Sequence, residues 1–383
     1  MAEAQGQALR QKSGGTSHRS ALDGLRALAI AGVMFVHAGV PGFKSGWIGV
    51  DLFFVLSGFL ITTLLAMESS ATGSIAYVPF MARRALRLMP AYFLYAIFIT
   101  VLIWWWPGSI RSENGHWDAV GLTAALWGYA INFVPQGGVW NAQDLTIHLW
   151  SLAVEQQYYL VWPLVFLALH RRPRALRGAA VVLAVCVTAS FVAAPDGLYK
   201  TAMLFTRGFS LMVASALALW VFHRPSLVSH ARFNRLVDVI GAALLVGLAV
   251  FPYRPGWSEN LTRNVFVPFL VPIFALWIAR LWSGQSAAAV RGLLQQRALV
   301  YIGQISYGIY LYHEAVRVAV WALMKPAMGG WPSGIGFVVR LAVYLLVSIA
   351  LAALSYECFE KKFLRLTGRF RPARAAVDAS PAR

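Results

Sequence analysis

Long apolar segments recur along this chain from end to end, and they constrain its fold more than any other feature. Each is close to the length that an α-helix needs to cross a bilayer, about 20 residues. The composition agrees, because 59% of the 383 residues are hydrophobic, 13% are charged and the mean hydropathy is +0.62. The segments are continuously apolar rather than alternating in polarity, which disfavours a membrane β-barrel. The sequence therefore predicts an all-α, polytopic helical membrane protein.

About ten segments are predicted to span the membrane. An eleventh candidate, Ala119–Val134, is short and interrupted by glycine. Lys and Arg concentrate on the cytoplasmic side of membrane proteins, and here that bias is stronger when this segment does not cross. We therefore expect both termini in the cytoplasm, and 107–146 as an outer loop with a short re-entrant or interfacial piece. The predicted spans are 25–41, 47–67, 90–106, 147–169, 178–194, 201–222, 236–251, 264–282, 299–323 and 335–360.

The formal charge of +18 comes from 33 Lys and Arg against 15 Asp and Glu. These basic residues are scattered among short loops, as the positive-inside rule requires, and no aromatic stacking array accompanies them. The pattern therefore argues against a nucleic-acid-binding protein. Cys186 and Cys358 both lie in apolar segments, so we expect neither a disulfide framework nor a zinc site.

Polar segments flank the apolar region. Residues 1–20 are rich in Ser and Gly, and we expect a disordered cytoplasmic tail there. A signal peptide is disfavoured because the following apolar segment contains Asp, Arg and His. Residues 363–383 are predicted to be a basic, disordered C-terminal tail, and 21–362 a single transmembrane domain.

The first apolar segment carries ionisable side chains at unusual positions. Asp23 and Arg26 open it, and His37 lies deep within it. Burying an ionisable group in hydrocarbon is costly, so such a residue is a candidate functional residue by default. Arg26 and His37 are eleven positions apart, which on an α-helix gives about three turns plus about 20° and a rise of about 16 Å. One helix face is therefore predicted to carry a cation at one membrane surface and an imidazole in the interior.

Other polar residues are predicted to lie in the outer half of the membrane or near its midplane, which indicates one polar cavity. Simpler interpretations stay open for three of them. His148 fits an interfacial cap, Asp51 fits a partner of backbone amides at a helix start, and His313 fits a hydrogen bond to a neighbouring helix. The residues concerned are Asp51, His148, Ser151, Glu155, Arg207, His313 and Glu314.

A cationic cluster precedes the third span. Arg84 and Arg87 are three positions apart and Arg83 and Arg87 four, so on a helix each pair shares a face. Guanidinium groups bind phosphate through paired hydrogen bonds, which makes the cluster a candidate phosphate site. Plain anchoring by the positive-inside rule is an equally good interpretation of this segment alone.

Five segments, taken together and in order, resemble the acyltransferase 3 family of integral membrane acyltransferases. Members of this family O-acetylate surface polysaccharides, peptidoglycan and some macrolides. Any one of the segments is a weak signal, but five in the family's order are specific. They are Leu22–Ala27 followed by His37, Gly46–Ile61, Arg83–Pro90, Ser151–Tyr159 and Ser306–His313.

The resemblance implies core helices matching the predicted spans, an acyl-CoA donor, and a sugar or another hydroxyl as acceptor. The family's proposed catalytic histidine corresponds to His37, and its paired arginines correspond to Arg84 and Arg87. Tyr307, in the last segment, is a further cavity candidate. The chain resembles the stand-alone members, without an appended periplasmic esterase-like domain, and the implied location is the bacterial inner membrane.

The residues and the resemblance together lead to a mechanistic hypothesis. The pantetheine arm of cytoplasmic acetyl-CoA would follow the first helix towards His37, which would act as general base on the acceptor hydroxyl. A covalent acyl-histidine is an open variant. Acyl-CoA is expected as a co-substrate, with no bound cofactor and no metal. The arginines expected to hold its phosphates are Arg26, Arg83, Arg84 and Arg87, and the carboxylates expected to orient the imidazole are Glu155 and Asp51.

Two other classes of protein fit part of the pattern. A transporter or flippase of a lipid-linked saccharide would use the same charges to line its pathway. A passive scaffold would leave the buried Glu155 and His37 without a role. Release of free thiol from acyl-CoA in the presence of acceptor would separate the enzyme from both.

Overall fold

The computed structural model describes residues 16–105, 119–134, 145–194, 202–250, 262–327 and 333–370. Within these ranges the regular structure is helical and no strand is present, which confirms the predicted all-α class. The helices are α1 Thr16–His37, α2 Ile48–Thr72, α3 Tyr77–Trp105, α4 Ala119–Trp127, α5 Trp150–Leu169, α6 Pro173–Ala193, α7 Leu204–Arg207, α8 Phe209–His223, α9 Ala231–Val250, α10 Val267–Trp282, α11 Ala288–Leu294, α12 Arg297–Gln304, α13 Ser306–Ala327, α14 Ser333–Ser355 and α15 Lys361–Leu366.

Among the described residues, 7 segments are long and apolar enough to cross a membrane. The protein is therefore a polytopic membrane protein, as its composition predicts. Phe209–His223 is a further apolar helix that is shorter than these. The candidate spans are Ser20–His37, Ile48–Thr72, Tyr77–Trp105, Ile147–Leu169, Pro173–Ala193, Asn264–Trp282 and Ser333–Phe370.

The predicted number of ten crossings is not confirmed, although helix is present at each predicted span. The predicted span 201–222 is divided into α7 and α8 at Gly208, and 299–323 is divided into α12 and α13 at Ile305. α9 carries Arg232, Arg235 and Asp238 near its start, which lowers its hydropathy. These interruptions are local, and hydropathy averaged over a whole span does not reveal them.

Two helix boundaries differ from the prediction. α1 begins at Thr16, inside the tail predicted to be disordered, and ends at His37 rather than at residue 41. α3 begins at Tyr77 rather than at residue 90, so the arginine cluster lies on a helix and not in a loop. A helix of 29 residues is about 44 Å long and therefore extends beyond a hydrocarbon core of about 30 Å. Hydropathy detects only the part inside the bilayer.

The chain forms two compact units, and the predicted single transmembrane domain, 21–362, stays a prediction. The first unit comprises Met1–Met67, Arg171–Ala194 and Gly208–Ser306. The second comprises Glu68–His170, Pro195–Arg207 and Tyr307–Arg383. The predicted tails fall partly outside the described residues, at 1–15 and 371–383, whereas Thr367–Phe370 forms a short 3₁₀ turn.

In the first unit, helices approach one another closely at glycines. A Cβ atom built on Gly303 of α12 would lie 1.8 Å from the carbonyl oxygen of Asp23, and one built on Gly24 would lie 1.9 Å from that of Leu294. Neither position accepts a larger residue without backbone movement, so α11 and α12 lie directly against α1. An apolar cluster that includes Phe59, Phe209 and Phe274 fills the space between α2, α8 and α10.

In the second unit, tyrosine hydroxyls donate hydrogen bonds to backbone carbonyls of other segments. The hydroxyl of Tyr95 lies 2.6 Å from the carbonyl oxygen of Leu145, and the hydroxyl of Tyr307 lies 3.0 Å from that of Leu88. A buried hydroxyl needs such a partner, because leaving it unpaired in an apolar environment is costly. These bonds connect α3 to the segment before α5 and to α13.

α4 has nine residues and, at about 14 Å, is too short to cross a membrane. It packs along α3 and is followed by a short 3₁₀ turn, Ile131–Phe133. The parts of the predicted outer loop at 106–118 and 135–144, with Trp106 and Trp117, lie outside the described residues. We call residues 119–134 the re-entrant segment.

Candidate functional site

α1 runs without interruption from Thr16 to His37, so the predicted registry of Arg26 and His37 holds. Eleven residues of continuous helix place the two side chains on nearly the same face, about 16 Å apart along the axis. Arg26 is held by Asp23 through an ion pair with a 2.5 Å separation between guanidinium and carboxylate. His37 is half-buried and is the last residue of α1, where the partial negative charge of the helix end stabilises an imidazolium.

Asp51 is fully buried in the first turn of α2, in the same unit as His37. Its carboxylate accepts a hydrogen bond from the hydroxyl of Ser210, with 2.8 Å between the oxygens. The partial positive charge at a helix start also stabilises a carboxylate there. Sequence reasoning missed Ser210, because the two residues are 159 positions apart and no local pattern joins them.

In the second unit, His148, Ser151 and His313 come together in a buried cluster with Tyr310. The rings of His148 and His313 meet edge to face with their centroids 5.1 Å apart. The hydroxyls of Ser151 and Tyr310 lie 2.6 Å apart, and the Tyr310 hydroxyl lies 2.9 Å from the carbonyl oxygen of His148. Each of these side chains is almost completely shielded from solvent.

Glu314 extends this cluster and is itself completely buried. The guanidinium of Arg317 approaches its carboxylate with two nitrogens, each 2.8 Å from Oε2. Nε2 of His313 lies 3.5 Å from Oε1 of the same carboxylate. Burying a charge is costly unless it is paired, and Arg317 supplies a pairing partner for the Glu314 carboxylate. Arg317 follows Glu314 by one helical turn in the sequence, and this spacing could have predicted the ion pair.

The hydrogen-bond partners assign the ring protons of the two histidines. Nε2 of His148 lies 3.2 Å from the carbonyl oxygen of Leu311, and Nδ1 of His313 lies 2.7 Å from that of Tyr310. A carbonyl oxygen only accepts, so each of these nitrogens carries a hydrogen. The basic nitrogen of the neutral ring is then Nδ1 in His148 and Nε2 in His313. A proton taken up at Nε2 of His313 is stabilised by Glu314.

Glu155 and Arg84 are linked by one side chain. The hydroxyl of Tyr159, one turn after Glu155 on α5, donates a hydrogen bond to the Glu155 carboxylate. The guanidinium of Arg84 lies over the Tyr159 ring at 5.8 Å and over the Phe80 ring at 5.7 Å from the centroids. Cation–π contacts of this kind hold a guanidinium in place.

The other two arginines of the cluster differ from each other. Arg83 forms an ion pair with Glu68 at 3.2 Å and donates a hydrogen bond to the carbonyl oxygen of Phe370, 2.5 Å away. Arg83 therefore connects α3 to the end of α2 and to the C-terminal turn. Arg87 is solvent-exposed. Of the three, Arg87 is the most exposed to solvent.

Arg207 and Tyr307 complete the predicted set. Arg207 is buried, and its guanidinium lies 5.8 Å from the centre of the Trp150 ring. Tyr307 is half-buried at the start of α13, directly after the break between α12 and α13. Most predicted site residues thus lie in the second unit, whereas Asp23, Arg26, His37 and Asp51 lie in the first. That all of them line one cavity stays a prediction.

The helical membrane fold and the buried polar residues agree with the outcome of a family comparison. The chain belongs to the acyltransferase 3 family, whose model, described as an acyltransferase domain, matches residues 19–357. The resemblance carried by the five sequence segments is therefore confirmed. No solved structure matches this chain.

Three curated relatives are similar over most of this chain. Peptidoglycan O-acetyltransferase OatA of Listeria monocytogenes is 30% identical over 77% of this chain and 49% of its own length. The putative peptidoglycan O-acetyltransferase YrhL of Bacillus subtilis is 31% identical over 89% of this chain and 54% of its own. O-acetyltransferase OatA of Staphylococcus aureus is 29% identical over 78% of this chain and 50% of its own length. The chain spans about half the length of these relatives.

Proposed function

We propose that this protein is a membrane-bound O-acyltransferase that moves an acetyl group from cytoplasmic acetyl-CoA to a hydroxyl of a glycan. Membership of the acyltransferase 3 family supports the reaction class. The relatives named as O-acetyltransferases support acetyl as the group moved, and the two whose names include peptidoglycan support a cell-wall glycan as the acceptor. No described contact favours the transporter alternative.

The single observation that carries this proposal is the unbroken helix α1. It places a cation, Arg26, and a titratable base, His37, on nearly one face about 16 Å apart. A pantetheine arm is uncharged and of comparable length. A donor whose phosphates are held near Arg26 therefore has its thioester near His37.

In this proposal the donor phosphates are bound by arginines, for which the candidates are Arg26 in the first unit and Arg84 and Arg87 in the second. Arg84 is already oriented by the Phe80 and Tyr159 rings, so little side-chain entropy is lost when it binds phosphate. Because cytoplasmic segments of membrane proteins carry an excess of Lys and Arg, the start of α3 lies at the cytoplasmic face. The protein then lies in the bacterial inner membrane with both termini in the cytoplasm.

His37 acts as the general base. It accepts the proton of the acceptor hydroxyl as the hydroxyl oxygen attacks the thioester carbonyl carbon. The carbon–sulfur bond then breaks, the ester remains on the acceptor, and the thiolate takes the proton back from the imidazolium. The C-terminal end of α1 and a carboxylate, Asp51 in the same unit or Glu155, stabilise that imidazolium.

A covalent acyl-histidine is the two-step version of the same reaction. In that version the thioester is attacked by the imidazole nitrogen, CoA leaves, and the acceptor hydroxyl then attacks the acyl-imidazole. Acetyl-labelled acetyl-CoA supplied without acceptor would leave label on the purified protein in the two-step reaction and none in the direct one.

The proposal is tested with membranes that contain the wild type or His37→Ala, supplied with acetyl-labelled acetyl-CoA. We expect label in the glycan fraction with the wild type and none above background with His37→Ala at equal protein level. His230→Ala is the matched control, because His230 is exposed and its ring nitrogen pairs with the nearby carbonyl oxygen of Ser226. Full labelling by His37→Ala would contradict the role of His37. Absence of label from every wild-type fraction, together with no CoA binding, would contradict the function.

A further inference from the structure

The re-entrant segment runs antiparallel to α3, from the outer end of that helix towards its middle. The indole nitrogen of Trp104 lies 3.2 Å from the Thr123 hydroxyl, and that of Trp127 lies 3.1 Å from the Thr100 hydroxyl. Further along, Tyr129 stacks on Tyr92, whose hydroxyl also lies 2.8 Å from the carbonyl oxygen of Leu126. Residues with higher numbers in the segment therefore contact residues with lower numbers in α3.

The end of this segment lies far below the aromatic residues at the outer end of α3. Tyr129 stacks on Tyr92 with 4.0 Å between ring centroids and 20° between planes. Tyr92 precedes Trp104 by twelve residues, which corresponds to about 18 Å along the helix axis. Trp104 and Trp105 are 58% and 84% exposed, as expected at an interface. Tyr129 is thus placed near the middle of a bilayer.

The backbone around Tyr129 is not α-helical, although it lies at that depth. α4 ends at Trp127, and Ile131–Phe133 forms a 3₁₀ turn. Irregular backbone inside a membrane is tolerated only where it is covered by protein or lines an aqueous cavity. Tyr129 is half-buried, and its buried hydroxyl has no hydrogen-bond partner among the described residues, which favours a position beside a cavity that a ligand could fill.

Two amide side chains fix this turn in place. Asn132 and Gln157 form a reciprocal pair, with 3.3 Å and 3.0 Å between their donor and acceptor atoms. Asn132 also donates to the carbonyl oxygen of Ala202 at 3.2 Å, and Gln157 donates to the carbonyl oxygen of Tyr129 at 3.3 Å. The turn is therefore attached to α5 and to the segment before α7, and its conformation is determined by several contacts.

Tyr129 has a φ angle of +50°, which among the described residues other than glycine is unique to it. This left-handed conformation is unfavourable for a bulky side chain, and only the surrounding contacts maintain it. Residues held in such conformations cluster at ligand and active sites. Asn or Gly would adopt this conformation with less strain. The presence of Tyr therefore indicates that its side chain has a role at this position.

The side-chain surroundings of Tyr129 suit a polyhydroxylated ligand. Its hydroxyl is buried and has no hydrogen-bond partner among the described residues. Tyr307 reaches the same part of α3, because its hydroxyl donates a hydrogen bond to the carbonyl oxygen of Leu88, one turn before the Tyr92 on which Tyr129 stacks. A sugar presents hydroxyl groups to phenols and carboxylates and C–H faces to aromatic rings. A few directed polar groups among aromatic side chains are typical of small-molecule sites.

We propose that Tyr129, at the inner end of the re-entrant segment, binds the saccharide acceptor together with Tyr307 and holds its reacting hydroxyl near the acyl donor. This inference rests on the proposed function and assigns the acceptor side of the same site. Tyr129 contacts the acceptor and not the donor, so its loss affects the two substrates differently.

The test uses the purified full chain in nanodiscs with acetyl-CoA and a soluble glycan fragment of peptidoglycan as acceptor. Two rates are measured. One is transfer to the fragment as its concentration varies, and the other is thiol release from acetyl-CoA without the fragment, when water takes the acetyl group and acetate is formed. Tyr129→Phe keeps the ring and removes the hydroxyl. Tyr129→Asn removes the ring at a residue type that tolerates the left-handed conformation. Thr123→Val, at the outer end of the same segment, is the control.

We expect Tyr129→Phe to raise KM for the fragment about tenfold, the effect of one lost hydrogen bond, with thiol release unchanged. Tyr129→Asn should raise it further or abolish transfer, again with thiol release kept, and Thr123→Val should behave as wild type. Wild-type KM in both Tyr129 variants would overturn the inference. So would a parallel loss of transfer and thiol release, which indicates a structural role. A wild type with neither activity would instead overturn the proposed function, and the inference with it.

Discussion

The two units of this protein hold their helices together in different ways. In the first unit the backbones of neighbouring helices are in contact at glycines. Gly24 contacts α11, Gly303 contacts α1, and Gly58 contacts the backbone of Leu211. In the second unit the helices are bridged by side chains, chiefly by tyrosine hydroxyls that reach backbone carbonyls, as at Tyr95, Tyr307 and Tyr310. Small residues and polar bridges are the two known means of associating helices in lipid, where the hydrophobic effect contributes little.

This difference in packing indicates which of the two units has space for polar side chains between its helices. Backbone contact at glycine leaves no space between helices. α1 is therefore held rigidly in the first unit, and the distance between Arg26 and His37 on it is fixed. Bridging by long polar side chains separates helices and leaves hydroxyl, amide and carboxylate groups between them. The second unit accordingly contains most of the candidate site residues.

The largest effect is expected where the first unit is tightest. Gly303→Val would place a branched side chain where even a Cβ atom would lie 1.8 Å from the Asp23 carbonyl oxygen. Because backbone must move, we expect a loss of about 3 kcal/mol or more and little folded protein, measured by size-exclusion chromatography and thermal unfolding in detergent. Gly292→Ala is the control, since nothing lies within 4 Å of a Cβ there. Normal folding of Gly303→Val would show that backbone contact does not hold this unit together.

The next effect belongs to the buried ion pair of the second unit. Arg317→Met removes the partner of the fully buried Glu314 and should cost about 3–5 kcal/mol, seen as a lower thermal midpoint. The double variant Glu314→Gln with Arg317→Met should recover part of that loss, because no charge is then left unpaired. A double variant less stable than Arg317→Met would refute charge pairing as the cause.

A smaller effect is expected from a single tyrosine bridge. Tyr310→Phe leaves the Ser151 hydroxyl and the His148 carbonyl without this partner and should cost about 1–3 kcal/mol. Tyr77→Phe, which loses a longer bond of 3.3 Å at an exposed position, should cost less. Equal midpoints for both variants and the wild type would mean that these hydroxyls contribute nothing to packing of the second unit.

The smallest effect is expected for an exposed ion pair that belongs neither to the glycine contacts of the first unit nor to the buried polar contacts of the second. Lys361 and Glu357 pair at 2.5 Å with 40% and 44% of their side chains exposed. Exposed pairs contribute no more than about 1 kcal/mol, so Lys361→Gln should leave the thermal midpoint nearly unchanged. A large drop in this variant would mean that charge pairing in general, rather than burial, determines the stability of the second unit.

The features that sequence could predict are those that depend on local periodicity. Segment length and hydropathy were sufficient for the all-α membrane class, and helical geometry was sufficient for the registry of Arg26 with His37. The short, glycine-interrupted Ala119–Val134 was correctly expected not to behave as an ordinary span. Each of these follows from residues within about 20 positions of one another.

The features that could not be predicted depend on residues far apart in the chain. Ser210 meets Asp51 across 159 positions, and Arg83 meets the carbonyl oxygen of Phe370 across 287. The cationic cluster looked like a loop because charge ends a hydropathy window, although the helix itself continues through the cluster to Tyr77. The left-handed conformation of Tyr129 has no sequence signature, since Tyr is not a residue that turns of this kind favour.

The most direct measurement is the rate of thiol release from acetyl-CoA by the purified chain in nanodiscs, with and without a soluble peptidoglycan glycan fragment, for the wild type, His37→Gln and His230→Gln. We expect the fragment to accelerate release by the wild type and by His230→Gln, with acetyl ester appearing on the fragment in equal amount. His37→Gln should lose at least about a hundredfold in that rate, the typical contribution of a general base. Acceptor-dependent release by His37→Gln at the wild-type rate would contradict the assignment of His37 as the base.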